Sequence, residues 1–461
     1  MKNPFSILTN CILPTAYCLL CFTCTPKLDI PEPDPGEANF ERTIALGDSY
    51  LAGYQDGALY YDGQRFSIPA LLAEQFELVD GGIFNQPYMP DNSGLGINSK
   101  PWESEFVSRS VLGYKDSTMY VSDNDTCWGR GGLSPIKRIF GVSEASSDLK
   151  PLTGGNFQNL SIPFLLLQDL FDPSLGDNYP NGNLYYHRFA LKPGVSTVIS
   201  DVLAQNPTFF ILWLGMEEVY KYARNGGYNV NIADADSFQT KLDSVLTLLS
   251  SNGAKGVIAN IPNLESFPFY TLIPYDGADL TQEQADTLNK LWSIGGSEHI
   301  HFEEGSNAFV ITVTSSPFGF RHIKSNEHLL LNVPLDSMKC SGFGVFFLIH
   351  DRYALDLSEI DNIQQAITAY NQIIDQKANQ YDLAFVDMNA WFKNLQVGIK
   401  WDGVDFNAEF VSGGFFSLDG FHPNQKGYAL IANEFIKAIN QKYNAVIPTV
   451  NCFDCSGIRF P

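Results

Sequence analysis

A serine near one end of the chain and a histidine–carboxylate pair near the other have settings that suit acyl-transfer chemistry. In ALGDSYLAGYQDG, residues 45 to 57, an apolar run ends abruptly in Gly47-Asp48-Ser49. Far downstream, Phe416-Ser417-Leu418-Asp419-Gly420-Phe421-His422-Pro423 sets Asp419 and His422 on one Gly- and Pro-bearing loop. A serine hydroxyl becomes a nucleophile when a base takes its proton, and the base needs a carboxylate to orient it. The Asp-x-x-His spacing brings a carboxylate under the imidazole and holds one ring tautomer. Either motif alone is common turn chemistry. At opposite ends of an α/β chain, together they predict a triad of Ser49, His422 and Asp419.

The elements that must position these groups are legible as alternating periods. Thr43–Leu46, Thr208–Leu214, Lys255–Ile261 and Leu383–Met388 are continuous apolar runs, as expected of strands buried on both faces. Helical patterns fall at 66–76, 194–205, 234–252, 281–293, 357–380 and 424–443. Strands alternating with helices imply right-handed βαβ units and a parallel sheet covered on both sides. Sites in such sheets lie beyond the carboxyl ends of the strands, where Ser49 falls. Residues 85–157 and 295–356 break the alternation and read as long insertions, whose own cores look too sparse for separate domains.

Here the sequence resembles the SGNH/GDSL hydrolase family. ALGDSYLAGYQDG looks like its first block, with Tyr50 where Leu is usual, and SLDGFHPNQKGYALIANEFI like its last. NLSIPF (159–164), WLGMEEVYKYA (213–223) and NIPNLESFPF (260–269) follow the order seen in family members. The resemblance is closest to large lipoprotein members found in Bacteroidetes and covers residues 41–447. It implies a three-layer α/β/α sandwich with a flavodoxin-like parallel sheet. It also implies Ser49 as nucleophile, His422 as base, Asp419 as its orienter, and an ester substrate: a lipid, a short acyl ester or an acetylated glycan. Two family oxyanion-hole positions, a Gly and an Asn, fall on Phe164 and Glu217. Phe164 keeps a backbone donor but adds a ring. An ionised Glu217 offers no donor and repels the developing oxyanion, and losing one such donor costs about 10²–10³ in rate. Rescue is expected from a protonated, buried Glu217, or from Glu218, Asn159 or an insertion residue. The alternative is a catalytically impaired module that binds or scaffolds at the cell envelope.

The first residues, MKNPFSILTNCILPTAYCLLCFTC, read as a signal peptide ending in a lipoprotein-type cysteine. The expected organisation is a leader at 1–23, lipidation of Cys24, a flexible Pro-rich tether at 24–40, the hydrolase-like domain at 41–447 and a tail at 448–461 with Cys452-Phe-Asp-Cys455. That places the protein in the cell envelope as an outer-membrane lipoprotein, attached by its lipid anchor alone, with a possible outer-membrane protein partner. The Cys452–Cys455 pair reads as a local disulfide or free thiols. A net charge of −22 excludes nucleic acid and anionic headgroups as electrostatic partners. No nucleotide-binding glycine motif is present, and no cofactor or metal is expected. His299-Ile-His301 reads as a surface β segment, and the Asn229–Asp236 alternation lacks the Gly and terminal Glu of a calcium loop.

Overall fold

The computed structural model describes residues 31–97, 106–114, 133–152, 155–314 and 316–461. The expected leader and Cys24 lie outside the described residues. Four of the apolar runs form one parallel sheet in the order β1 (Thr43–Gly47), β2 (Phe209–Trp213), β3 (Lys255–Ala259), β4 (Ala384–Val386). Register runs from Thr43 opposite Phe209 to Gly47 opposite Trp213. On the free side of β1, the run 158–162 lies parallel to it, with Ala45 N–H on Gln158 O at 2.9 Å and Ile162 N–H on Gly47 O at 3.0 Å. NLSIPF therefore occupies a fifth strand position with a single bridge, Ala45 to Asn159.

Helices α1 (Ile68–Phe76) and α5 (Gln425–Tyr443) pack together on one face; α3 (Ala235–Ser250) and α4 (Leu357–Gln380) cover the other, with α2 (Met216–Arg224) against α4. Their boundaries follow side-chain chemistry. Ser67 caps α1 ahead of Pro69, and Asp234 caps α3. Asp356 and Glu359 form a reciprocal capping box at α4, and Asn424 caps α5 through Gly427 N–H. The strands are buried except at the partly exposed Lys255 and Phe385, and Phe40, Phe76 and Phe209 join the first strand pair to α1.

Several expectations are corrected in detail. The tether is shorter than 24–40. Asp34 already pairs with Val446, and Ala38 and Phe40 are buried, because an aromatic ring in this stretch has a core to enter. The second insertion starts earlier than 295. Ala278–Leu280 pairs with Gly305–Asn307 around the helix Gln282–Ile294, and further hairpins follow up to Leu355. It also has cores of its own, one around Ile311, Leu329 and Ile349 and one around Ala285, Ile300 and Phe302. His299 and His301 are not on a strand. His299 stacks on Phe318, while His301 N–H donates to His322 Nε2 at 3.2 Å. Cys452 and Cys455 are buried free thiols in a tail that packs on α5, where Asn433 brackets Val450 through both backbone groups. Among the described residues no helix is long and apolar enough to cross a membrane.

Candidate active site

Ser49 sits immediately beyond β1, at the start of the short helical turn Ser49–Ala52. Gly47 permits the turn: a Cβ there would meet Trp213 O at 2.7 Å and the Leu51 side chain at the same distance. Asp48 accepts the Tyr50 N–H at 3.2 Å and so caps the turn. Tyr50, the residue that departs from the family pattern, is buried, and its hydroxyl donates to Phe421 O at 2.7 Å. The tyrosine thus ties the Ser49 turn to the loop that bears His422.

That loop folds on itself before α5. Ser417 N–H donates to His422 O at 2.8 Å, and Gly420 takes φ +70°, a region that favours glycine. Asp419 Oδ2 meets His422 Nδ1 at 2.9 Å and accepts Gly57 N–H at 3.0 Å; its Oδ1 accepts the Phe421 and His422 N–H groups at 2.9 and 2.8 Å. Burial works to raise the Asp419 pKa, but the His422 imidazole and these donors outweigh it and hold the carboxyl below its ordinary value. A carboxylate on Nδ1 fixes the proton there and leaves Nε2 as the basic nitrogen. Nε2 is buried and has no hydrogen-bond partner among the described residues.

The opening stretch also supplies the clamp on this loop. Asp56 Oδ1 accepts Leu418 N–H at 2.9 Å, its Oδ2 accepts the Tyr60 hydroxyl at 2.7 Å, and its backbone N–H donates to Ser417 Oγ at 2.9 Å. Gln55-Asp56-Gly57 is therefore a second contact between the two motif blocks, and spacing alone did not reveal it. A signal existed in the Asp56-Gly57 dipeptide, a turn marker with the chain at φ +56° and +76°.

Phe164 and Glu217 behave differently from each other. Phe164 holds φ +65°, a left-handed backbone that favours glycine. Its N–H donates to Ser49 Oγ at 3.1 Å. Its ring packs edge-on to Tyr54 at 5.1 Å, and Tyr54 lies 4.9 Å from the His422 ring. Glu217 is buried in the first turn of α2, but it is not a lone acid awaiting a proton. Arg224 Nη2 donates to its Oε1 at 2.6 Å, so the charge is balanced within an ion pair. Arg224 also stands over the Phe164 ring at 5.0 Å and near Phe421 at 6.0 Å.

Neither suggested replacement donor is in place. Asn159 spends its amide on Leu51 O and Gln86 Oε1, at 3.0 and 2.8 Å, and accepts Ser161 N–H. Glu218 accepts Leu167 N–H at 2.5 Å and leaves Oε2 buried without a partner among the described residues. Burial, helped by Glu217 and Asp169, pushes Glu218 up to about 7 against two backbone donors. Asp48 is pushed up to about 8 by burial, with Glu217 and Glu218 adding to it and Tyr50 N–H and Arg224 opposing. Among the described residues no three His, Cys, Asp or Glu side chains gather in a way that would hold a metal ion.

Residues 116–435 match the model of the GDSL-like lipase/acylhydrolase family, and the chain belongs to that family. The match includes Asp419 and His422 and begins after Ser49. No curated protein matches the chain. Solved structures with similar architecture include an α/β hydrolase, LAE5, from the metagenome of Lake Arreo, at 10% identity, TM-score 0.34, covering 87% of this chain and 96% of its own. A variant of an acetylxylan esterase of Geobacillus stearothermophilus has 10% identity, TM-score 0.34 and coverage of 87% and 95%. A lipase/acylhydrolase of Enterococcus faecalis has 11% identity, TM-score 0.32 and coverage of 88% and 99%. It is the family match that carries the assignment to hydrolases acting on esters.

Proposed function

We propose that the chain is an exported lipoprotein esterase that works through Ser49, His422 and Asp419. The observation carrying this reading is the pair of short contacts at Asp419 and Phe164: one leaves His422 Nε2 as a free base, the other sets a backbone donor on Ser49 Oγ. In the reaction, Ser49 Oγ attacks the ester carbonyl as its proton passes to His422 Nε2. The carbonyl π electrons move onto oxygen, which the Phe164 N–H faces. Collapse expels the alcohol with the proton returned from Nε2, and water repeats the sequence to release the acid. Asp419 keeps its charge throughout and steadies the imidazolium. The substrates are carboxylic esters of lipid, short acyl or acetylated glycan type.

Ser49 and His422 are each about 4% exposed. That enclosure, with Glu217 in a donor's position, also supports a second reading: a binding or scaffold lipoprotein that kept the fold and lost turnover. Hydrolysis of p-nitrophenyl butyrate separates the two. The esterase reading expects turnover by the wild type and a loss of at least about 10³-fold in Ser49→Ala. Wild-type rates equal to those of Ser49→Ala would sink it in favour of the scaffold.

A further inference from the structure

The steps above make no use of the Glu217–Arg224 pair, although it stands beside them. The two residues are seven apart on α2 and share one helix face. Arg224 spends one Nη2–H on Glu217, and its remaining N–H groups find no acceptor among the described residues. Its guanidinium leans on Phe164, whose N–H holds Ser49 Oγ, and approaches Phe421, whose ring lies 5.0 Å from that of His422. The cation therefore packs against the residue whose N–H meets Ser49 Oγ and comes near the ring beside His422. The Arg224 side chain keeps 21% of its surface exposed, so solvent reaches part of it.

A largely buried ion pair is a poor stabilising device, since apolar residues of similar volume do as well or better. A guanidinium with free donors is, by contrast, a good receptor for a planar anion, which it grips through two parallel N–H groups. Glu217 fixes the fork without filling it. The neighbouring acids Asp48 and Glu218, pushed up to about 8 and about 7 by burial, hold much of their protonated form near neutrality and oppose an incoming anion little.

We propose that Arg224 is a substrate-binding residue for an anionic group, and that the esters favoured here bear a carboxylate a few bonds from the scissile carbonyl. The proposal deepens the esterase reading and rests on it for the word "substrate", but its test does not need turnover. In a Ser49→Ala background, binding of monomethyl glutarate and of neutral methyl butyrate is measured by calorimetry. Expected is a preference for the anionic ester of about 10- to 100-fold, the worth of one charge-assisted contact. Arg224→Lys keeps part of that preference and Arg224→Met removes it. Because Arg224→Met strands Glu217, the charge-balanced Glu217→Gln/Arg224→Met variant is run beside it, with melting curves as the check on folding. An equal preference in wild type and in a folded variant lacking the arginine overturns the proposal, as does no preference at all. Turnover of the matched p-nitrophenyl esters by the Ser49 enzyme is read separately. No turnover with an intact anion preference defeats the esterase reading alone, whereas turnover blind to charge defeats this one alone.

Discussion

Asp48 shows how closely this site is balanced at the level of single groups. Its carboxyl is enclosed, one oxygen capping the Ser49 turn and the other without a partner among the described residues. Burial raises it from 3.8 to about 8. A carboxyl whose folded pKa is raised binds its proton more tightly when folded, so its stabilising share is complete below the unfolded pKa and drains as pH rises. For Asp48 the window is about pH 4 to about pH 8, and Glu218 and Asp56, raised to about 7 and about 6, slope the same way within it. Thermal melting is thus expected to weaken across that window. Asp48→Asn keeps the capping oxygen and has no proton to lose, so its melting temperature should change visibly less with pH than that of the wild type. Parallel curves for the two proteins would show that the enclosure of Asp48 is overstated. The proposed catalytic residues were legible at this scale because Ser49, Asp419 and His422 lie in short local motifs. Arg224 was not, since nothing in an amphipathic helix marks an arginine that turns back two turns to an acid.

At the level of elements, the site is two loops clamped to each other. Tyr50, Asp56 and Gly57 from the segment after β1 bond to backbone and side-chain groups of 417–421, and the Tyr428 hydroxyl of α5 returns to Tyr54 O. Asp56 does not touch the reacting atoms; it positions the loop that carries Asp419. Asp56→Gly removes the carboxylate while suiting the +56° backbone. The expected result is a fall in kcat of about 10²-fold with KM nearly unchanged, as for a catalytic group displaced by about an ångström. Asp56→Asn, which keeps one acceptor oxygen, should recover part of it. An unchanged kcat in Asp56→Gly would remove the clamp from the account. The strands and helices that carry these loops were readable from period and capping residues, down to α4 at Leu357–Gln380. The clamp was not, because its partners are more than 360 residues apart in the chain and meet only once the sheet has formed.

For the whole molecule, one parallel sheet joins motif blocks from both ends of the chain, and the long excursions hang from it. The second of these was underestimated in sequence because its apolar residues are spread over short hairpins whose cores assemble only in three dimensions. The chain's net charge of −22 gives an anionic bilayer surface nothing to hold, so attachment in the proposed lipoprotein rests on the acyl group at Cys24. Cys24→Ala should therefore move the protein from the membrane fraction to the soluble fraction. Retention in the membrane without the cysteine would point to a protein partner instead.

The most direct test of the central claim is covalent labelling by a fluorophosphonate, with the modified residue read by mass spectrometry. The probe asks for an activated serine and for nothing about the natural ester. The account predicts one adduct, on Ser49, absent from Ser49→Ala and slowed by orders of magnitude in His422→Ala. No adduct on the folded wild type, or labelling of Ser49 that is indifferent to His422, would contradict it.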